Sequence, residues 1–144
     1  MATAHILGPA GGASTPLPLY SSKVSAGFPS PAQDHLEMRI SLDDLLKIHS
    51  PHIYLVRVIG DSMKDIGLFD ADIMVVDRSK DAALNQIVIA SLNGEPFVKR
   101  YTKENNQIVL RAENKKFAPR YVMEGDQFEV WGVVTDSIRR LLHA

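Results

Sequence analysis

The stretch Gln86-Ile87-Val88-Ile89-Ala90-Ser91-Leu92-Asn93-Gly94-Glu95-Pro96-Phe97-Val98-Lys99-Arg100-Tyr101 decides the fold class. Two runs rich in Val, Ile and aromatic residues flank Asn93-Gly94, a pair that takes the positive φ angles a two-residue hairpin turn requires. Outward from this hairpin, the segments Ile53–Ile59, Ile73–Asp77, Gln86–Leu92, Glu95–Tyr101, Ile108–Ala112 and Phe128–Thr135 have the same character, and most are bounded by turn residues. Strands this short and closely spaced predict a compact, mainly β, mostly antiparallel domain. A short helix, Ser41–Ile48, precedes them, with Ser41 as its cap and Asp44 at the capping-box position. Leu42, Leu45, Leu46 and His49 fall on one face of it, and Pro51 ends it.

Bulk composition narrows the function. The chain has 144 residues, 45% hydrophobic and 23% charged, which is ordinary for one soluble domain. A net charge of −1 gives no basic excess, so no direct nucleic-acid binding is expected. The absence of cysteine excludes disulfides, thiolate metal sites and a cysteine nucleophile. The first residues carry no secretory signal, and no apolar run reaches the roughly 20 residues of a membrane helix. A cytoplasmic protein without membrane contact is expected. Five of the eight prolines (Pro9, Pro16, Pro18, Pro29 and Pro31) fall before residue 32, together with Gly8, Gly11, Gly12 and Gly27. Residues 1–40 therefore read as a flexible N-terminal arm and 41–144 as the folded domain.

Two segments carry reactive chemistry. Gly60-Asp61-Ser62-Met63-Lys64 follows directly on a strand. Glycine there permits a sharp turn, a serine on it projects a hydroxyl, and the backbone N–H groups of Asp61 and Ser62 can face a developing oxyanion. The same residues also suit a plain cap for a one-turn helix ending at Gly67. In the strand Glu95–Tyr101, Phe97, Lys99 and Tyr101 share a face, which sets an amine between two aromatic rings. Burial lowers a lysine pKa, and a shift of about 3 units, roughly 4 kcal/mol, makes the amine a base near neutral pH. Alternatively, Lys99 lies on a solvated face. Lys64 is two residues from Ser62 and faces elsewhere on a helix, and Asp65 holds the lysine position of a Ser-x-x-Lys motif. His5, His35, His49, His52 and His143 lack the strand–turn setting of a triad. No metal cluster, phosphate loop or cofactor motif is present.

Together, Gly60-Asp61-Ser62-Met63, Asp70-Ala71-Asp72-Ile73, Val75-Val76-Asp77 and Phe97-Val98-Lys99-Arg100 resemble the LexA/UmuD-type peptidases, the S24 group. Ser62 and Lys99 match that family's nucleophile and base, 37 residues apart. Ser25-Ala26-Gly27-Phe28-Pro29-Ser30-Pro31 resembles the self-cleavage segment of its mutagenesis branch, and Trp131-Gly132-Val133-Val134-Thr135 its last strand. The resemblance runs from about Ile40 to Thr135, plus the cleavage segment. Only about 40 residues precede the core, too few for the helix-turn-helix reader of the family's repressors. The resemblance thus implies a UmuD-like homodimer that cuts its own Ala26–Gly27 bond when stimulated by a RecA filament on single-stranded DNA. It further implies that the product joins a UmuC-type Y-family polymerase in error-prone lesion bypass during the SOS response to DNA damage. A non-catalytic dimeric interaction module, regulating a polymerase or repressor, is the rival reading. A signal-peptidase-like enzyme and a truncated repressor are less well supported, lacking an anchor and a DNA-reading helix respectively.

Overall fold

The structure, a computed structural model, describes residues 4–10, 16–20 and 36–142 of the chain. The cleavage segment containing Ala26 and Gly27 lies outside the described residues. The chain divides into two compact units, Met1–Ala10 with Pro51–Ala144, and Gly11–Ser50.

In the smaller unit, β2 (Pro16–Tyr20) pairs antiparallel with β3 (Leu36–Ser41), and α1 (Leu42–Leu46) follows. Ser41 Oγ accepts the Asp44 N–H at 3.0 Å, so the predicted cap forms. The helix is shorter than its sequence pattern. Lys47 turns left-handed at φ 58°, closing the helix after Leu46. His49 therefore does not extend an apolar face, and its Nε2 lies 2.7 Å from Asp44 Oδ1. No residue of α1 is buried.

The larger unit is built on one antiparallel sheet of eight strands in the order β1-β4-β5-β10-β6-β7-β8-β9. These are β1 (Ala4–Pro9), β4 (Ile53–Val58), β5 (Ile73–Asp77), β6 (Ile87–Leu92), β7 (Glu95–Glu104), β8 (Gln107–Arg111), β9 (Arg120–Tyr121) and β10 (Phe128–Ile138). The fold is mainly β, as its sequence pattern predicts. Asn93 and Gly94 adopt φ 52° and 87° and close the β6–β7 hairpin in the expected way. A second two-residue turn, Asn105-Asn106 at φ 51° and 65°, extends β7 to Glu104 and starts β8 at Gln107.

One strand is absent from the sequence reading. Ala4–Pro9 lies within the proline-rich stretch read as an arm, yet pairs with β4 at the sheet edge. An edge position suits it, because Pro9 donates no hydrogen bond and Gly8, at φ 129°, marks a shift in register. Ala4 joins the buried core with Val56, Val58, Met63, Leu68, Met74, Val76, Ile89 and Val98. The sheet curls enough to bring β1 against β7.

The last strand, β10, inserts between β5 and β6. Its register shifts between Val130 and Gly132 against β6, and between Val134 and Asp136 against β5. A Cβ on Gly132 would meet Val76 Cγ1 at 2.7 Å and the Asp77 carbonyl oxygen at 2.9 Å, so only glycine fits there. With β10 in this place, β6 and β7 follow it, and Lys99 sits on β7 directly opposite Val88.

Candidate active site

The segment between β4 and β5, residues 59–72, carries Ser62. Gly60, at φ 81°, takes the chain off the strand, and its N–H donates to Asp70 Oδ1 at 2.8 Å. At the far end of the segment, the Val58 and Asp72 backbones rejoin through a 2.8 Å hydrogen bond. Met63 and Leu68 anchor it by insertion into the core, at 0% and 5% exposure. Lys64–Ile66 forms a single 3-10 turn ending at Gly67, but its cap is Met63, with no side-chain capping bond. Neither Asp61 nor Ser62 serves as the helix cap that their spacing also allows.

Lys99 Nζ lies 2.9 Å from Ser62 Oγ. Both residues are buried, at 8% and 2% exposure. Burial lowers the Lys99 pKa from its ordinary 10.5 to about 8. As an ammonium the side chain donates to the hydroxyl; as a neutral amine it can accept the hydroxyl proton. Two rings flank Nζ, Phe97 at 6.0 Å and Phe117 at 5.9 Å between nitrogen and ring centroid. The sequence reading names Phe97 and Tyr101 as the flanking pair. The structure supplies Phe117 instead, from the loop after β8, because loop packing brings in a ring that strand alternation does not reveal.

That loop also holds the serine turn. Asn114 is 5% exposed, and its Nδ2 donates to the Asp61 carbonyl at 2.9 Å. Glu113 accepts the Asp65 N–H on its carbonyl at 2.9 Å, while its carboxylate pairs with Arg100, the residue after Lys99. The loop thus ties the strand carrying the amine to the turn carrying the hydroxyl. Among the described residues, no protein acceptor takes the N–H of Asp61 or Ser62. Both donors are available to a third group, such as a developing oxyanion.

A second clamp lies at the other end of the segment. Arg139, just past β10, donates from Nε and Nη2 to the buried Asp72 carboxylate at 2.8–3.2 Å. Its Nη2 also donates to the Gly67 carbonyl at 2.5 Å. The guanidinium stacks 4.1 Å from the Phe69 ring centroid. These bonds, with the Phe69 N–H, hold the Asp72 pKa below the usual carboxylate value.

Asn114, Glu113, Phe117 and Arg139 are absent from the sequence reading of the site. An asparagine shortly after a strand is the one local hint, and it signals a turn as readily as a support. No group of three or more His, Cys, Asp or Glu side chains among the described residues could hold a metal ion. No helix among them is long and apolar enough to cross a membrane.

Comparison with known proteins adds lineage to this geometry. The chain is 38% identical over 124 residues to a LexA repressor of Colwellia psychrerythraea, covering 85% of this chain and 58% of that protein. It is 37% identical over 123 residues to the protein MucA of Salmonella typhimurium, covering 85% of this chain and 84% of that one. A LexA repressor of Ectopseudomonas mendocina is 41% identical over 119 residues, covering 82% of this chain and 58% of that protein. The chain thus spans a little over half the length of these repressors and most of MucA. Residues 18–135 match the sequence pattern described as Peptidase S24-like, a span that takes in the Ser62 turn and the Lys99 strand, and the chain belongs to that family.

Proposed function

We propose that the chain is a self-cleaving serine endopeptidase of the Ser–Lys dyad type, with Ser62 as nucleophile and Lys99 as general base. The observation that carries this reading is the 2.9 Å approach of a buried amine, its pKa lowered to about 8, to a buried serine hydroxyl. A lysine in water is protonated at neutral pH and cannot act as a base. One with a pKa of about 8 is neutral in roughly a tenth of molecules at pH 7.

The bond cut is Ala26–Gly27. A small residue before the bond and none after Cα let the backbone approach closely, and tethering raises its effective concentration. Neutral Lys99 takes the Ser62 proton as Oγ adds to the Ala26 carbonyl carbon. The N–H groups of Asp61 and Ser62 receive the oxyanion. The Lys99 ammonium then returns its proton to the leaving amine of Gly27, and water hydrolyses the acyl–Ser62 ester.

Family membership and the MucA and LexA relatives support a place in the SOS response to DNA damage. In this reading the protein is a cytoplasmic homodimer. A RecA filament on single-stranded DNA favours the docked arm by population shift. The product, residues 27–144, serves a UmuC-type Y-family polymerase in translesion synthesis.

The test is self-cleavage of the purified chain across pH, with fragments resolved by mass. The rate should rise about tenfold per pH unit below pH 8 and level off above it. Ser62→Ala and Lys99→Ala should each abolish the cut at Ala26–Gly27. A rate flat with pH, or cleavage by either variant, refutes the assignment.

A further inference from the structure

We propose that Asn114 is the positioning residue that orients the oxyanion-binding N–H of Ser62. This deepens the self-cleavage reading above and rests on it.

The geometry is that of a single peptide plane. The Asp61 carbonyl and the Ser62 N–H belong to the same peptide unit, and the described residues contain no cis peptide bond. In a trans peptide these two groups point in opposite directions from a rigid plane. Whatever grips the carbonyl therefore aims the N–H. Asn114 Nδ2 grips it at 2.9 Å, with help from the Lys64 N–H at 3.2 Å. Those two donors hold the plane one residue after Gly60, which has no Cβ and turns the chain at φ 81°.

Asn114 is itself held. Its Oδ1 accepts the Lys116 N–H at 3.0 Å, and its backbone carbonyl accepts the Phe117 N–H at 3.0 Å. With acceptor and donor ends both engaged, the amide has one orientation, and the donor faces Asp61. The residue is buried, so water does not readily replace the bond. The same short turn places the Phe117 ring 5.9 Å from Lys99 Nζ. One loop thus serves both halves of the dyad, through Asn114 at the nucleophile's peptide and through Phe117 at the base.

These two roles separate experimentally. Losing the grip on the Asp61 carbonyl lowers the rate with Lys99 fully neutral and leaves the lysine's titration alone. Collapse of the loop instead exposes the amine and moves its titration upward. The experiment is self-cleavage of the full chain from pH 6 to 11, comparing wild type with Asn114→Leu and Asn114→Asp. Leucine matches the shape without a donor. Aspartate keeps the acceptor for the Lys116 N–H and puts a carboxylate oxygen where the donor was, so its plateau remains informative if leucine disturbs the loop. Backbone amide NMR spectra of each variant check that the sheet is intact.

In both variants the alkaline plateau should fall about ten- to hundredfold. That is less than the roughly hundred- to thousandfold loss from removing an oxyanion donor outright, because the Ser62 N–H stays in place but is no longer aimed. For Asn114→Leu the midpoint of the pH profile should stay where it is in wild type. A plateau within about twofold of wild type overturns the proposal. So does a fall accompanied, in Asn114→Leu, by a midpoint moving toward that of an ordinary lysine, which assigns Asn114 to the scaffold alone. Failure of the underlying reading looks different: wild type does not cut, or Ser62→Ala cuts as wild type does, and both readings then fall together.

Discussion

Replacing Lys99 by methionine should make the folded chain more stable at neutral pH. The amine has a folded pKa of about 8, against 10.5 for an ordinary lysine, and burial is the cause. The difference of about 2.5 units is equivalent to about 3 kcal/mol at 1.36 kcal/mol per unit. The sign follows from proton binding. Between pH 8 and 10.5 the unfolded chain holds a proton that the folded chain has released, so stability rises with pH across that window. Below pH 8 the penalty for burying the amine is fully present. Methionine fills a similar volume and carries no charge. On a Ser62→Ala background, which prevents loss of the arm during the assay, Lys99→Met should gain 2–3 kcal/mol at pH 7, to order of magnitude, and little by pH 10.5. Urea denaturation followed by fluorescence reports on the right part of the molecule, because Trp131, the single tryptophan, packs against the core of the sheet unit. A gain of equal size at both pH values, or none at pH 7, would mean that Lys99 is hydrated and titrates as an ordinary lysine. The basis for calling it a general base would then be gone.

Two further outcomes test how the site is held. Gly132→Ala should destabilise the sheet unit by about 1–3 kcal/mol in the same urea assay, since its Cβ would lie 2.9 Å from the Asp77 carbonyl oxygen and backbone must move. Arg139→Met leaves the buried Asp72 carboxylate without its guanidinium partner, so thermal unfolding at pH 7 should fall by several degrees. Because the Arg139 bonds depress the Asp72 pKa, the pair stabilises above the unfolded carboxylate value. The deficit should therefore shrink as pH is lowered below about 4; a deficit constant with pH refutes that account.

Much of the fold is legible residue by residue. Asn93-Gly94 dictates a hairpin because both positions tolerate positive φ, and the Val- and Ile-rich runs on either side can only be short strands. Ser41 caps α1 for an equally local reason: its oxygen reaches an N–H three residues on. Asn105-Asn106 carries a turn signal of the same kind, yet it is easily passed over without a glycine. Ala4–Pro9 defeats local rules altogether, since a glycine- and proline-bearing segment becomes a strand only when an unpaired edge of β4 accepts it.

The candidate site divides along the same line. A glycine leaving a strand before Ser62, and a lysine beside an aromatic residue in Phe97-Val98-Lys99, mark two candidate residues, but each pattern alone also fits a plain cap or a solvated lysine, and only their combination points to a site. What sequence spacing does not contain is the 2.9 Å between the two residues, the Phe117 ring beside the amine, or the grip of Asn114 on the Asp61 carbonyl. These depend on β10 inserting beside β6 and on a loop 53 residues from Asp61 folding over the serine turn. Turn and cap chemistry acts within a few residues and is written locally. Strand order and desolvation come from packing segments far apart in the chain, so only the tertiary structure determines whether that lysine sheds its proton beside that serine.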